Sequence, residues 1–140
     1  MRILLAVDGS EYTRRMLDYI ASHKDLFDVS HQYTALTVVP SVPPRVTGYI
    51  ARSTLDDYYR EQAEAVLVPV RERAQQAGWK LEAVHQMGHA PDVIARVANE
   101  GKYDMLVMGS HGHAPMASLM LGSVAARVLA HCTTPVLIVR

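Results

Sequence analysis

The sequence predicts an α/β fold: a doubly wound, five-stranded parallel sheet with helices on both faces, three layers deep. Two observations carry this. Short apolar runs of strand length alternate along the chain with segments whose apolar residues recur at helical spacing, and turn or capping residues separate the two kinds of segment. A parallel strand must be reached by a right-handed crossover, and successive crossovers of this kind cover both faces of the sheet. The 140 residues, 49% of them apolar, are close to the common size of one domain and can bury one core.

The elements follow in order. Ile3 to Val7 is a continuous apolar run, Asp8-Gly9-Ser10 is a tight turn, and Tyr12, Met16, Leu17 and Ile20 form the apolar face of a helix that Ser10 can cap. Tyr33 to Val39 is rich in strand formers and stops at Pro40. From Pro40 to Ser53, three prolines and Gly48 without periodicity read as a loop long enough to serve as a lid. Thr54 then offers a cap for the longest helix, whose stripe Leu55, Tyr59, Ala63, Val66, Val70, Ala74 and Ala77 ends at Gly78, with Pro69 inside it as a candidate kink. Leu81 to His85 is a third strand, and Pro91 opens a helix with Ile94, Val97 and Ala98 on its apolar face. Met105 to Met108 and Val136 to Val139 are strands of the fully buried type, separated by a glycine loop and a helix from about Ser123 to His131, which makes five strands and four helices.

Composition excludes several functions. Fourteen basic residues balance fourteen acidic ones, so no broad positive field is present to hold nucleic acid or an anionic membrane surface. The apolar runs fall far short of the roughly 20 residues that span a bilayer. An apolar run that starts at Ile3 leaves no charged leader or cleavage site, so the mature chain is expected to be the whole chain. Cys132 is the only cysteine, which rules out an intrachain disulfide and suits a reducing compartment; a cytoplasmic protein is expected.

Candidate chemistry gathers in one loop. Met108-Gly109-Ser110-His111-Gly112 leaves the fourth strand, nine residues follow, and Gly122-Ser123 opens the next helix. Glycine there permits positive φ or close approach to a ligand, and a helix starting at Ser123 aims free amides at whatever lies before it. The pattern is not a P-loop, because no lysine follows Lys102, so backbone must do any cradling. Equally, the glycines can simply turn a corner. Asp8 ends the first strand, and in a doubly wound sheet ligands lie beyond the strand carboxyl ends where the winding reverses. If strands one and four are neighbours, Asp8 faces Gly109. A carboxylate beside a phosphate needs a bridging cation, which makes Asp8 a candidate magnesium ligand; the alternative is an Asx-type turn residue before Gly9.

From end to end the chain resembles the universal stress protein family. Ile3-Leu4-Leu5-Ala6-Val7-Asp8-Gly9-Ser10 is similar to the family's first strand and turn. Gly109, Gly112 and Gly122-Ser123 match the Gly-two-Gly-nine-Gly-Ser/Thr motif of its ATP-binding branch, and the closing Gly-Ser-Val…Arg-Val-Leu…Pro-Val-Leu stretch is likewise similar. The resemblance implies sheet order 3-2-1-4-5 and an adenine near Val38. It places ribose and phosphates on Gly109, Gly112, Gly122, Ser123 and Val124, with Met108 at the strand end and Ala6 and Val7 in the pocket wall beside Asp8. The implied ligand is ATP, or AMP or another adenine nucleotide, with magnesium on Asp8. His111 and His113 stand where many relatives place arginine, which leaves phosphate charge less well neutralised. The implied role is a stress-response sensor or switch, with at most slow ATP hydrolysis, since no base or arginine finger is recognisable.

Other readings have less behind them. His111 with His113, and His131 with Cys132, do not supply the three or four ligands of a zinc site. No Gly-x-Ser-x-Gly elbow supports a serine hydrolase. Asp8 has no acidic partner beside it for a phospho-receiver, and aromatic residues that could sandwich FMN are scarce. The alternative from a different class is a dimeric interaction protein that binds no nucleotide. In either case Pro135 to Arg140 would be an apolar sheet edge, and a homodimer through this last strand is expected.

Overall fold

The structure, a computed structural model, describes residues 1–114 and 120–140. Its elements are β1 (Arg2–Ala6), α1 (Glu11–Ser22), β2 (Gln32–Val39), α2 (Pro44–Thr47), α3 (Arg52–Ala77), β3 (Lys80–Met87), α4 (Ala90–Glu100), β4 (Met105–Gly109), α5 (Ser123–His131) and β5 (Val136–Val139). The five strands are all parallel and lie in the order β3-β2-β1-β4-β5. Ala6 is in register with Leu36 on one side and Met108 on the other.

Alternation along β1 splits the core in two. Ile3 and Leu5 point to the face covered by α1 and α3, where Met16, Ile20, Tyr59, Leu67 and Val70 pack. Leu4 and Ala6 point to the opposite face, against Ile94 and Ala98 of α4 and Ala125 and Val128 of α5. The chain winds outward from β1 to β2 and β3 and then returns to β4 beside β1, so the winding reverses between β1 and β4. The loops after those two strands diverge there and leave a crevice.

Local signals account for most element ends. Ser10 accepts a hydrogen bond from the Thr13 amide and caps α1, while Gly9 turns the chain at φ 77°. Gly78, also at φ 77°, ends α3 in the left-handed conformation. Pro91 sits in the first turn of α4. Pro69 lies on the exposed side of α3, where water can take the carbonyl it leaves unpaired, and the helix runs through it.

Two expectations need correction. Among the described residues there are five helices, not four: inside the segment read as a loop, Pro44 starts a single turn, α2, closed by hydrogen bonds from Thr47 to Pro43 and from Gly48 to Pro44. No residue of α2 is buried, so it leaves no periodic signal. Thr54 is not a cap; α3 starts at Arg52, with Ala51 in the N-cap position, three residues before Thr54. No helix among the described residues is long and apolar enough to cross a membrane.

Candidate functional site

The crevice holds a cavity of about 290 Å³, near the lower end of the roughly 300–1,000 Å³ typical of small-molecule sites. All twelve residues expected at the site line it. Ala6 and Met108 form its floor at the ends of β1 and β4, with Val7 and Asp8 continuing one wall. Val38 comes from the adjacent β2. Gly109, His111, Gly112 and His113 come from the loop after β4, and Gly122, Ser123 and Val124 from the start of α5.

The start of α5 is open toward this space. Its N-cap is Gly122, which has no side chain to give, and among the described residues no side-chain hydrogen bond caps the helix. The first-turn amides of Ser123, Val124 and Ala125 have no carbonyl one turn earlier in the helix to pair with. These three residues line the cavity. The loop is tied at both ends, because the Gly122 amide donates to the Ser110 carbonyl at 2.7 Å and the Ser110 amide donates to the Val139 carbonyl at 2.7 Å. Ser110 is fully buried.

Asp8 does two things at once. Its Oδ1 accepts from the Ser10 amide and from the Thr13 hydroxyl, both at 2.9 Å, and the Asp8 amide donates to Thr13 Oγ1 at 3.0 Å. That is the Asx-type turn. Its Oδ2 is turned toward Gly112, so close that a Cβ at position 112 would meet it at 2.7 Å. His113 Nε2 donates to the Asp8 carbonyl at 2.6 Å and fastens the β4 loop to the β1 loop. His111 Nδ1 and the Ser110 hydroxyl share a hydrogen bond of 2.8 Å, and the His111 ring stands 5.0 Å from that of Tyr12.

The three loop glycines are needed for close approach, not for positive φ, since Gly9, Gly78 and Gly88 are the described glycines with positive φ. A Cβ at Gly109 would lie 2.7 Å from Tyr12 Cβ, and one at Gly122 would lie 3.0 Å from both His111 Cα and the Ser110 carbonyl oxygen.

Sequence reasoning missed Thr13, Leu36, Ala90, Ile94, Ala114 and Ala125, which also line the cavity. Leu36 was within reach, because it lies two residues before Val38 on a strand and therefore shares its face. Thr13 could be found only through its bonds to Asp8. Just outside the cavity, the Asp92 carboxylate takes hydrogen bonds from His89 and Arg127. The His89 bond first, and then Arg127, hold its pKa below the usual aspartate range. Among the described residues no three His, Cys, Asp or Glu side chains converge as a metal cage. Magnesium asks for less, one or two carboxylates with phosphate and water completing the shell, and Asp8 Oδ2 fits that requirement.

The model of the Universal stress protein family, Usp, matches residues 1–140. The chain belongs to this family. It is 31% identical over 139 residues to the universal stress protein Slr1230 of Synechocystis, spanning 99% of this chain but only 42% of that one. Among solved structures, that of MJ0577 superposes with a TM-score of 0.81 at 25% identity, covering 99% of this universal stress protein and 94% of its counterpart. A universal stress protein solved in complex with cAMP superposes with a TM-score of 0.67 at 26% identity, covering 100% and 96%.

Proposed function

We propose that this chain binds an adenine nucleotide in the cavity between β1 and β4 and acts as a sensor or switch whose output is a change of state. The observation that carries the reading is the uncapped first turn of α5. The residues of that turn, at the positive end of the helix dipole, line a cavity whose other walls are largely apolar, which suits a phosphate at one end and a base at the other. Leu36, Val38, Ile94 and Met108 would take the base, and Gly109, Gly112, Gly122 and Ser123 would take the ribose and phosphate. Asp8 Oδ2 would hold magnesium where a phosphate lies beside it. The family relative solved with cAMP supports the same ligand class. A homodimer formed by pairing of β5 edges completes the proposal, since Val136, Leu137 and Ile138 are only half-buried in one chain.

Calorimetry with AMP and ATP, with and without magnesium, tests the nucleotide reading. Gly122→Val sets a branched Cβ 3.0 Å from the Ser110 carbonyl oxygen and His111 Cα and should weaken binding at least about tenfold, or 1.4 kcal/mol, in protein that circular dichroism shows to be folded. Asp8→Asn can keep the acceptor for Ser10 and Thr13 but loses the charge, so it should weaken binding when magnesium is present and not in chelator. If folded Gly122→Val binds as wild type does, the nucleotide lies elsewhere in the fold; if the wild type binds neither AMP nor ATP, the interaction-protein reading takes its place. For the dimer, light scattering on a chain lacking residues 135–140 should find monomer or insoluble protein; a stable truncated dimer refutes the β5 interface.

A further inference from the structure

Fixed positive charge is scarce around the cavity. From Tyr103 to Ala126 the sequence contains no lysine or arginine, so no part of the loop between β4 and α5 supplies a fixed cation. The ionisable side chains lining the cavity among the described residues are Asp8, His111 and His113. One arginine on each of the flanking helices α5 and α1 is engaged elsewhere. Arg127, one turn beyond Ser123 on α5, donates Nε to Asp92 Oδ1 at 3.0 Å. Arg15 lies over the Tyr12 ring, 4.9 Å from its centroid, and pairs with Glu11 at 3.5 Å. The His113 Nε2 proton is already committed to the Asp8 carbonyl.

Resting on the nucleotide reading above, we propose that this cavity selects an adenine nucleotide carrying one phosphate over the triphosphate. The first turn of α5 offers the amides of Ser123, Val124 and Ala125, a set that matches the oxygens of one phosphate group. The monoester phosphate of AMP brings about −1.5 to −2 charges, and the phosphodiester of cyclic AMP a single negative charge, which those amides and the helix dipole can offset. A triphosphate adds two further anionic groups at the same mouth. There they meet the Asp8 carboxylate, which is fixed in place by Ser10 and Thr13, and no lysine or arginine.

Calorimetry on the intact chain in chelator, at low salt, with adenosine, AMP, cyclic AMP and ATP tests this. AMP or cyclic AMP should bind at least about tenfold tighter than ATP, and tighter than adenosine; the two monophosphate arms show whether the open or the cyclic ester is preferred. Ala114→Lys places a cation at the exposed rim, and it should narrow the gap by raising ATP affinity. Added magnesium should narrow it as well. ATP binding as tightly as both monophosphates in wild type overturns the inference while leaving the nucleotide reading intact. Adenosine binding as tightly as AMP also overturns it, because the phosphate is then not read. If none of the four ligands binds, the nucleotide reading falls and takes this inference with it.

Discussion

An alanine at position 112 creates a conflict with a single named atom, and the size of that conflict can be worked out. The backbone of Gly112 lies outside the left-handed region, so alanine is conformationally acceptable. By narrowing the unfolded ensemble it should stabilise the fold by about 0.4–1 kcal/mol. Against this, the new Cβ would stand 2.7 Å from Asp8 Oδ2. The carboxylate must swing away, and in doing so it releases the Ser10 amide and the Thr13 hydroxyl from Oδ1. Each bond is worth about 1 kcal/mol where water can replace it. The loss is therefore about 2 kcal/mol and the net destabilisation of Gly112→Ala about 1–1.5 kcal/mol. In an Asp8→Ala background the obstacle is gone, and the same substitution should be neutral or stabilising. Urea denaturation of the four proteins, compared through midpoints at constant m, gives the coupling directly. A coupling near 2 kcal/mol is expected; additivity within about 0.5 kcal/mol refutes the contact as the reason for glycine at 112.

Thr13→Val should cost about 1–3 kcal/mol and also weaken nucleotide binding, because it leaves the Asp8 amide without its acceptor and loosens the carboxylate; retention of both stability and affinity would remove Thr13 from the site. The pKa of Asp92 is lowered in the fold, so its pairing with His89 and Arg127 stabilises above the ordinary aspartate value and is lost as pH falls through the lowered one. Asp92→Asn should accordingly flatten the acid limb of the stability curve below about pH 4, as followed by thermal unfolding, and an unchanged limb would contradict it. Burial first, and then the Asp28 charge, push the Tyr33 hydroxyl up to about 12. Its contribution should hold below pH 10 or so and fade as pH rises toward the folded value, whereas Tyr33→Phe should show no such alkaline loss in urea titrations.

Legibility in the sequence followed the strength of the physical signal. Val136 to Val139 is bounded by Pro135 and packed against β4, and its predicted limits match the structure. β3 runs from Lys80 to Met87, longer than the Leu81 to His85 expected, because its backbone pairs with β2 along its whole length while its side chains alternate only between exposed and half-buried. Pairing of that kind is invisible to hydrophobic patterning. The spacing of Gly109, Gly112 and Gly122 pointed to the cavity but not to the reason for glycine. A Cβ that would strike Tyr12, Asp8 or Ser110 is a tertiary fact, and a sequence reports only that the side chain is missing. The lid segment shows the same limit, since a one-turn helix that buries nothing imposes no pattern on Pro44 to Thr47.

Ser110 has a mechanical consequence. Its amide holds the last residue of β5, Val139, and its carbonyl holds Gly122 at the mouth of α5, each at 2.7 Å. One peptide linkage on either side of a single buried residue thus joins the rim of the cavity to the free margin of the sheet, with no side chain in the chain of transmission. The rim of the cavity and the margin where the proposed second copy would pair are thus joined by a backbone path one residue long.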